Sequence, residues 1–134
     1  MLDSTAAVAA ERQGKTARQL LEAVVLETGD EGIAISVMTV LELAHGIIRA
    51  DTTERRERRQ RFLDDLLTGV PIQSVTVPIA LHAGQIDGQS QAMDVRIPLS
   101  DLLIGASALE LGYAVGTANV RHFQLIPGLN VIKL

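Results

Sequence analysis

The stretch IPLSDLLIGASALELGYAVGT, residues 97–117, decides the fold. Its apolar residues from Asp101 to Leu111 recur at helical spacing. Ser100 is placed to cap the start of that helix and Gly112 to end it. Immediately after comes a short apolar run, Tyr113 to Thr117, of the kind that forms a buried strand. A helix feeding directly into a strand then recurs outward along the chain. Ile33 to Val37 (IAISV), Ile72 to Val77 (IQSVTV) and Asn130 to Lys133 (NVIK) are strand-like, with longer stretches of helical period between them. Such alternation predicts an α/β fold with a mostly parallel sheet.

The intervening helices are expected at Gln13 to Glu27, Met38 to Ala50, Thr53 to Leu67 and Pro78 to Gln91. In the second of these, Val40, Leu41, Ala44, Ile47 and Ile48 form one apolar face, which predicts burial. Thr39, Glu42, His45 or Gly46, and Arg49 then form the polar stripe. Met1 and Leu2 read as the stub of a first strand. Without internal repeats, low-complexity tracts or a linker, residues 1–134 are expected to form one domain.

Composition excludes several functions. The 134 residues contain no Cys, so disulfides and thiolate metal sites are impossible; 12 basic against 16 acidic side chains give a net charge of −4, which argues against coating nucleic acid by bulk attraction. One Tyr, two Phe and no Trp argue against a base-stacking platform. No apolar run spans a bilayer and the start lacks the pattern of a signal peptide, so a cytoplasmic protein with no membrane association is expected. Any dealing with nucleic acid must be local and chemical.

Three acids stand where chemistry is expected in an open parallel sheet, whose ligands gather beyond the carboxyl ends of the strands. Asp3 follows the strand stub, Glu42 lies in the helix after a buried strand, and Asp101 opens the helix quoted above. Each also has a structural reading: Asp3 as a cap or turn residue, Glu42 on a solvated helix face, Asp101 at the positive end of a helix dipole. If they converge, their mutual repulsion invites a hard dication, Mg²⁺ or Mn²⁺, and with it metal-assisted phosphodiester hydrolysis.

Four segments in register go further. LDST (Leu2–Thr5), TVLELAHG (Thr39–Gly46), the stretch from Ile97 to Tyr113 and TANVRHFQLIPGL (Thr117–Leu129) together resemble a PIN-domain protein, specifically a VapC-type toxin ribonuclease. The resemblance covers nearly the whole chain. It implies a three-layer α/β/α sandwich, an acidic cluster binding Mg²⁺ or Mn²⁺, endonucleolytic cleavage of RNA, a cognate VapB-like antitoxin and a homodimer. By that likeness Asp3, Glu42 and Asp101 are the metal-binding acids. Asn119 stands where many members carry a fourth acid, followed by His122 and Phe123.

Two features depart from the pattern. With Asn119 the site holds three formal charges, so one firmly held cation is expected and a second only with the RNA phosphate. Only two residues precede Asp3, so either the chain begins earlier or the first strand is abbreviated, with the α-amino group near the metal site lowering metal affinity. Ser4 and Thr117 are candidate orienting hydroxyls, and His122 a candidate helper near the phosphate or an orienting group for Asn119. His82 is expected at a boundary between core and solvent. Of the arginines at 55, 56, 58, 59 and 61, Arg58 and Arg61 form i,i+4 pairs with Glu54 and Glu57 on a solvated face, or else the run contacts RNA or the antitoxin. The rival functional reading is a catalytically weak module that acts by binding an antitoxin. A haloacid dehalogenase or response-regulator phosphotransferase fits poorly, since Thr5 stands where the former needs a second Asp.

Overall fold

The computed structural model describes residues 1–134. Its sheet is assembled around a single residue. Leu2 bridges Ile35 on one side and Gly116 on the other, both in parallel sense. On the first side β1 (Ile35–Ser36) pairs with β2 (Ile72–Gln73), and on the second β3 (Val115–Thr117) pairs with β4 (Val131–Lys133), again in parallel. The spatial order is therefore β2, β1, Leu2, β3, β4. The strand stub expected at Met1 and Leu2 is present and central. Leu2 N–H donates to Ala34 O at 2.9 Å, Asp3 N–H to Gly116 O at 3.1 Å, and Gly116 N–H to Met1 O at 2.8 Å.

Alternation across this short strand sorts the core into two halves, because successive side chains point to opposite faces of a sheet. Met1 packs with Ile79, Ile86, Leu102, Ile104 and Phe123. Leu2 packs with Ala7, Leu20, Ile35, Phe62 and Leu66. The first half lies under α5 (Val77–Ala92) and α6 (Leu99–Leu111), the second under α1 (Ser4–Arg12), α2 (Ala17–Thr28) and α4 (Thr53–Gly69). This is the three-layer α/β/α arrangement expected. Gly116 is needed at the centre, since a Cβ there would stand 3.1 Å from Leu2 Cδ2 and 3.0 Å from Leu134 Cδ1.

Several sequence expectations are corrected. The strands are two or three residues long and not four to six; β1 stops where its last residue, Ser36, becomes the cap of α3 (Val37–Ile48), its side chain accepting from Met38 N–H. The helix expected from Gln13 starts at Ala17, where Thr16 and Gln19 form a capping box. Residues before it form α1, a helix the sequence reading did not assign. Ser100 is not a cap; α6 begins after Pro98 with no side-chain cap, leaving Ser100 free for another role. The helix expected from Thr53 to Leu67 runs on to Gly69.

The largest correction concerns α3, whose expected apolar face is buried only in part: Val40 and Ile47 pack inward, but Leu41, Ala44 and Ile48 are exposed. Leu41 is 59% and Ile48 74% exposed, while Thr39, assigned to the polar stripe, is 1% exposed. Its hydroxyl donates to Leu2 O at 3.2 Å. The helix turns its hydroxyl-, carboxylate- and glycine-bearing side inward because polar partners wait there, and Met38, Val40, Leu43 and Ile47 supply the packing.

Candidate active site

The carboxyl ends of β1, Leu2 and β3 lie side by side, so the segments that leave them are brought together. Asp3 leaves the middle strand. It is 2% exposed and caps α1, accepting from Ala6 N–H at 3.2 Å. Thr5 Oγ1 donates to it, 2.9 Å from both carboxylate oxygens, and Thr117 Oγ1, at the end of β3, donates to Oδ2 at 2.8 Å. Thr5 in turn accepts from Ala118 N–H at 3.1 Å, and Thr117 accepts from Asn119 N–H at 3.0 Å. The acid is thus held by hydroxyls that are themselves oriented by backbone. Burial pushes the Asp3 pKa up, the Thr117, Thr5 and Ala6 hydrogen bonds pull it down, and the charge of Asp101 pushes it up; the net shift is upward.

Asp101, on α6, is the acid whose charge adds to the upward shift of Asp3. Asp101 Oδ2 lies 2.7 Å from His122 Nδ1, with both side chains partly buried. Glu42, on the inward side of α3, accepts from Ser100 Oγ at 2.7 Å, and Ser100 directly precedes Asp101. One helix start therefore carries Asp101 and, through its neighbour Ser100, holds Glu42. Asn119 is exposed, and its side-chain Oδ1 accepts from Arg121 N–H at 3.3 Å. No hydrogen bond joins its amide to the three acids; the residue reaches Asp3 only through its backbone contact with Thr117.

The orienting residues differ from those singled out in the sequence. Thr117 has the expected role, but Thr5 and not Ser4 is its companion. His122 orients Asp101 and not Asn119. Ser100 was read as a cap and is a positioning group for Glu42. The sequence signal for Thr5 was present, since a hydroxyl two residues after a capping Asp can reach back to it. The arginine run does not use Glu54 and Glu57. Arg58 Nε donates to Glu11 Oε1 of α1 at 2.8 Å, and Arg55 pairs with Asp51 at 2.9 Å. His82, partly buried, lies 2.8 Å from Glu110. At the start, the Met1 ammonium donates to Ala114 O at 2.6 Å, and burial lowers its pKa to about 6.

The donor set around Asp3 consists of carboxylate and hydroxyl oxygens, which suits a hard dication and not a soft one. The burial and like charge that raise the Asp3 pKa are the penalty such an ion relieves. No three Asp, Glu, His or Cys side chains converge in ligating geometry. Mg²⁺ does not require that, because it is commonly held by one or two carboxylates together with waters and substrate phosphate.

This is the architecture of a PIN domain, and the PIN domain family model matches residues 1–128. The chain belongs to that family. Among its relatives it is 31% identical over 129 residues to the ribonuclease VapC19 of Mycobacterium tuberculosis, covering 96% of this chain and 95% of that one. It is 35% identical over 100 residues to the ribonuclease VapC10 of the same organism, covering 75% of this chain and 69% of that one. The fold is similar to that in a crystal structure of VapBC2 from Rickettsia felis bound to a DNA fragment from their promoter, with a TM-score of 0.84 at 23% identity over 100% of this chain and 97% of that one.

Proposed function

We propose that this protein is a metal-dependent endoribonuclease acting in the cytoplasm as the toxin of a toxin–antitoxin pair. Its curated relatives are named as ribonucleases, and nucleases of the PIN family are metal-dependent. The observation that carries the reading is the buried Asp3 held by Thr5 and Thr117 at the carboxyl edge of the sheet, with Glu42 tied through Ser100 to the start of α6, the helix that carries Asp101. Asp3 and Asp101 would hold the ion, Mg²⁺ or Mn²⁺, with Glu42 completing the set directly or through water. When bound, it activates water and stabilises charge on phosphoryl oxygen.

The chain's own groups prepare that chemistry. Thr5 and Thr117 keep the Asp3 carboxylate in one orientation, His122 does so for Asp101, and Ser100 fixes Glu42. Asn119 contributes an amide beside the site without charge. No side chain acts as a nucleophile, so the reaction needs positioning and electrostatics only. The partners are RNA as substrate, a VapB-like antitoxin that blocks the site, and a second copy of the chain in a homodimer. Neighbours in fold come from VapBC complexes. The test is RNA cleavage by the wild type and Asp101→Asn with Mg²⁺ and with chelator. Cleavage by the wild type in Mg²⁺ only, and none by the variant, supports the reading; cleavage that survives both changes overturns it.

The rival reading, a catalytically weak module that acts by binding a partner, draws on the outward turn of the Asn119 amide. It requires that Mn²⁺ titration by calorimetry show no uptake.

A further inference from the structure

Between α1, α3 and α4 lies a pocket of about 160 Å³, well below the roughly 300 to 1,000 Å³ of sites for drug-sized ligands. Ala7, Val8, Leu43, Phe62 and Leu63 make it apolar, and Glu42 forms part of its wall. The pocket and the candidate active site therefore share Glu42. Two of its other residues have no explanation in the fold.

The first is Gly46. It lies inside α3, where glycine is less favourable than alanine. Its φ is not positive, and a Cβ built on it meets nothing within 4 Å. Neither backbone nor packing calls for glycine there. What the missing side chain does is leave the pocket open, since Gly46 lines it.

The second is Glu11, whose side chain is only 8% exposed. Its Oε1 accepts from Arg58 Nε at 2.8 Å, but Oε2 has Arg59 Nε no closer than 4.0 Å, beyond hydrogen-bonding range. One oxygen of a largely buried carboxylate thus retains its acceptor capacity. Around it, Arg59 spends Nη1 on Gly46 O at 2.6 Å, and Arg12 lines the same pocket. Arg12 and Arg59 balance Glu11 and Glu42 in the lining, so the pocket calls for no net charge in its occupant. A flat neutral group offering N–H donors and a carbonyl oxygen is complementary to this lining.

We propose that this pocket receives one unpaired nucleobase of the RNA beside the cleaved phosphate and favours guanine, whose Watson–Crick edge sets N–H donors toward Glu11 and a carbonyl oxygen toward the Arg12 and Arg59 guanidinium groups. Unstacked bases read on that edge are the usual means of sequence selection in single-stranded RNA. The inference rests on the ribonuclease reading above for its substrate.

The experiment uses fluorescein-labelled heptauridylate and the same RNA carrying one central guanosine or inosine. Binding is measured by anisotropy in chelator, and cleavage separately in Mg²⁺. The guanosine RNA is expected to bind about tenfold more tightly than heptauridylate, the worth of one or two net hydrogen bonds. Inosine, lacking the 2-amino group, falls between them. Gly46→Leu, which fills the pocket in a helix that thermal melting should show intact, abolishes the preference, and so does Glu11→Gln. Gly88→Ala on α5, another helical position where a Cβ meets nothing, retains it. A guanine preference that persists in Gly46→Leu, or no preference in the wild type, overturns the proposal. So does a Gly46→Leu protein that keeps the preference but loses a protein partner, since the pocket would then seat that partner. A guanine preference in chelator with no cleavage in Mg²⁺ would instead remove the ribonuclease reading and leave the pocket assignment standing.

Discussion

His122 Nδ1 lies 2.7 Å from Asp101 Oδ2, so an acid at the start of α6 is oriented by a ring from the connection between β3 and β4. The next residue, Phe123, is 1% exposed and anchors that connection in the core. The ring is thereby fixed by core packing of the residue that follows it. His122→Ala should lower RNA cleavage about 10- to 100-fold, the usual effect of removing a partner of a metal-binding residue. His122→Asn, which keeps a donor, should recover part of it, and both variants should melt close to the wild type. Unchanged cleavage by His122→Ala would show that Asp101 needs no such support.

Asp3 is expected to oppose stability when no metal is bound. Its pKa is raised in the folded protein, chiefly by burial, so the folded state holds its proton more tightly than the unfolded chain. Its contribution to stability therefore falls as pH rises from the unfolded value of 3.8 through the folded one, and the penalty is complete above that. Asp3→Asn removes the charge and keeps a good N-cap. In chelator at pH 7 the variant should be at least as stable as the wild type, and Mn²⁺ should raise the melting temperature of the wild type alone. A variant that melts well below the wild type, or that Mn²⁺ stabilises equally, would contradict this.

Leu2 is the whole of the central strand in side-chain terms, 3% exposed and bridged on both sides. Leu2→Ala should cost about 2 to 5 kcal/mol in urea unfolding. Because Asp3 hangs from the same backbone, cleavage should fall even under conditions where the variant remains folded.

Gly105 marks the tight approach of α6 to the segment after β3. A Cβ there would run into Ile126 Cδ1, and Ile126 is itself buried at 3% exposure. Gly105→Ala should cost about 1 to 3 kcal/mol by overpacking. The same change at Gly84, where a Cβ meets nothing, should be neutral or stabilising.

The order of strands and helices was legible because short apolar runs alternate with helical period, and the three acids were legible because each follows a strand or opens a helix. Three things were not. Helix α1 was missed because its buried face consists of alanines, Ala6, Ala7 and Ala10, which give little contrast with a loop. The inward face of α3 was misassigned because periodicity counts apolar side chains and cannot see that Leu2 O awaits the Thr39 hydroxyl or that Ser100 awaits Glu42. Arg58 was paired with Glu54 by spacing, whereas its partner Glu11 is 47 residues away. In the last two cases a tertiary partner outweighs the local pattern.

The central claim is that Asp3 and Asp101 share a dication. Anomalous diffraction from a crystal soaked in Mn²⁺ tests it most directly. The account predicts a peak about 2.1 Å from an oxygen of each acid, with Glu42 bound directly or through water. A crystal with no peak between them, and with both Asp3 oxygens still accepting from Thr5 and Thr117, would contradict it.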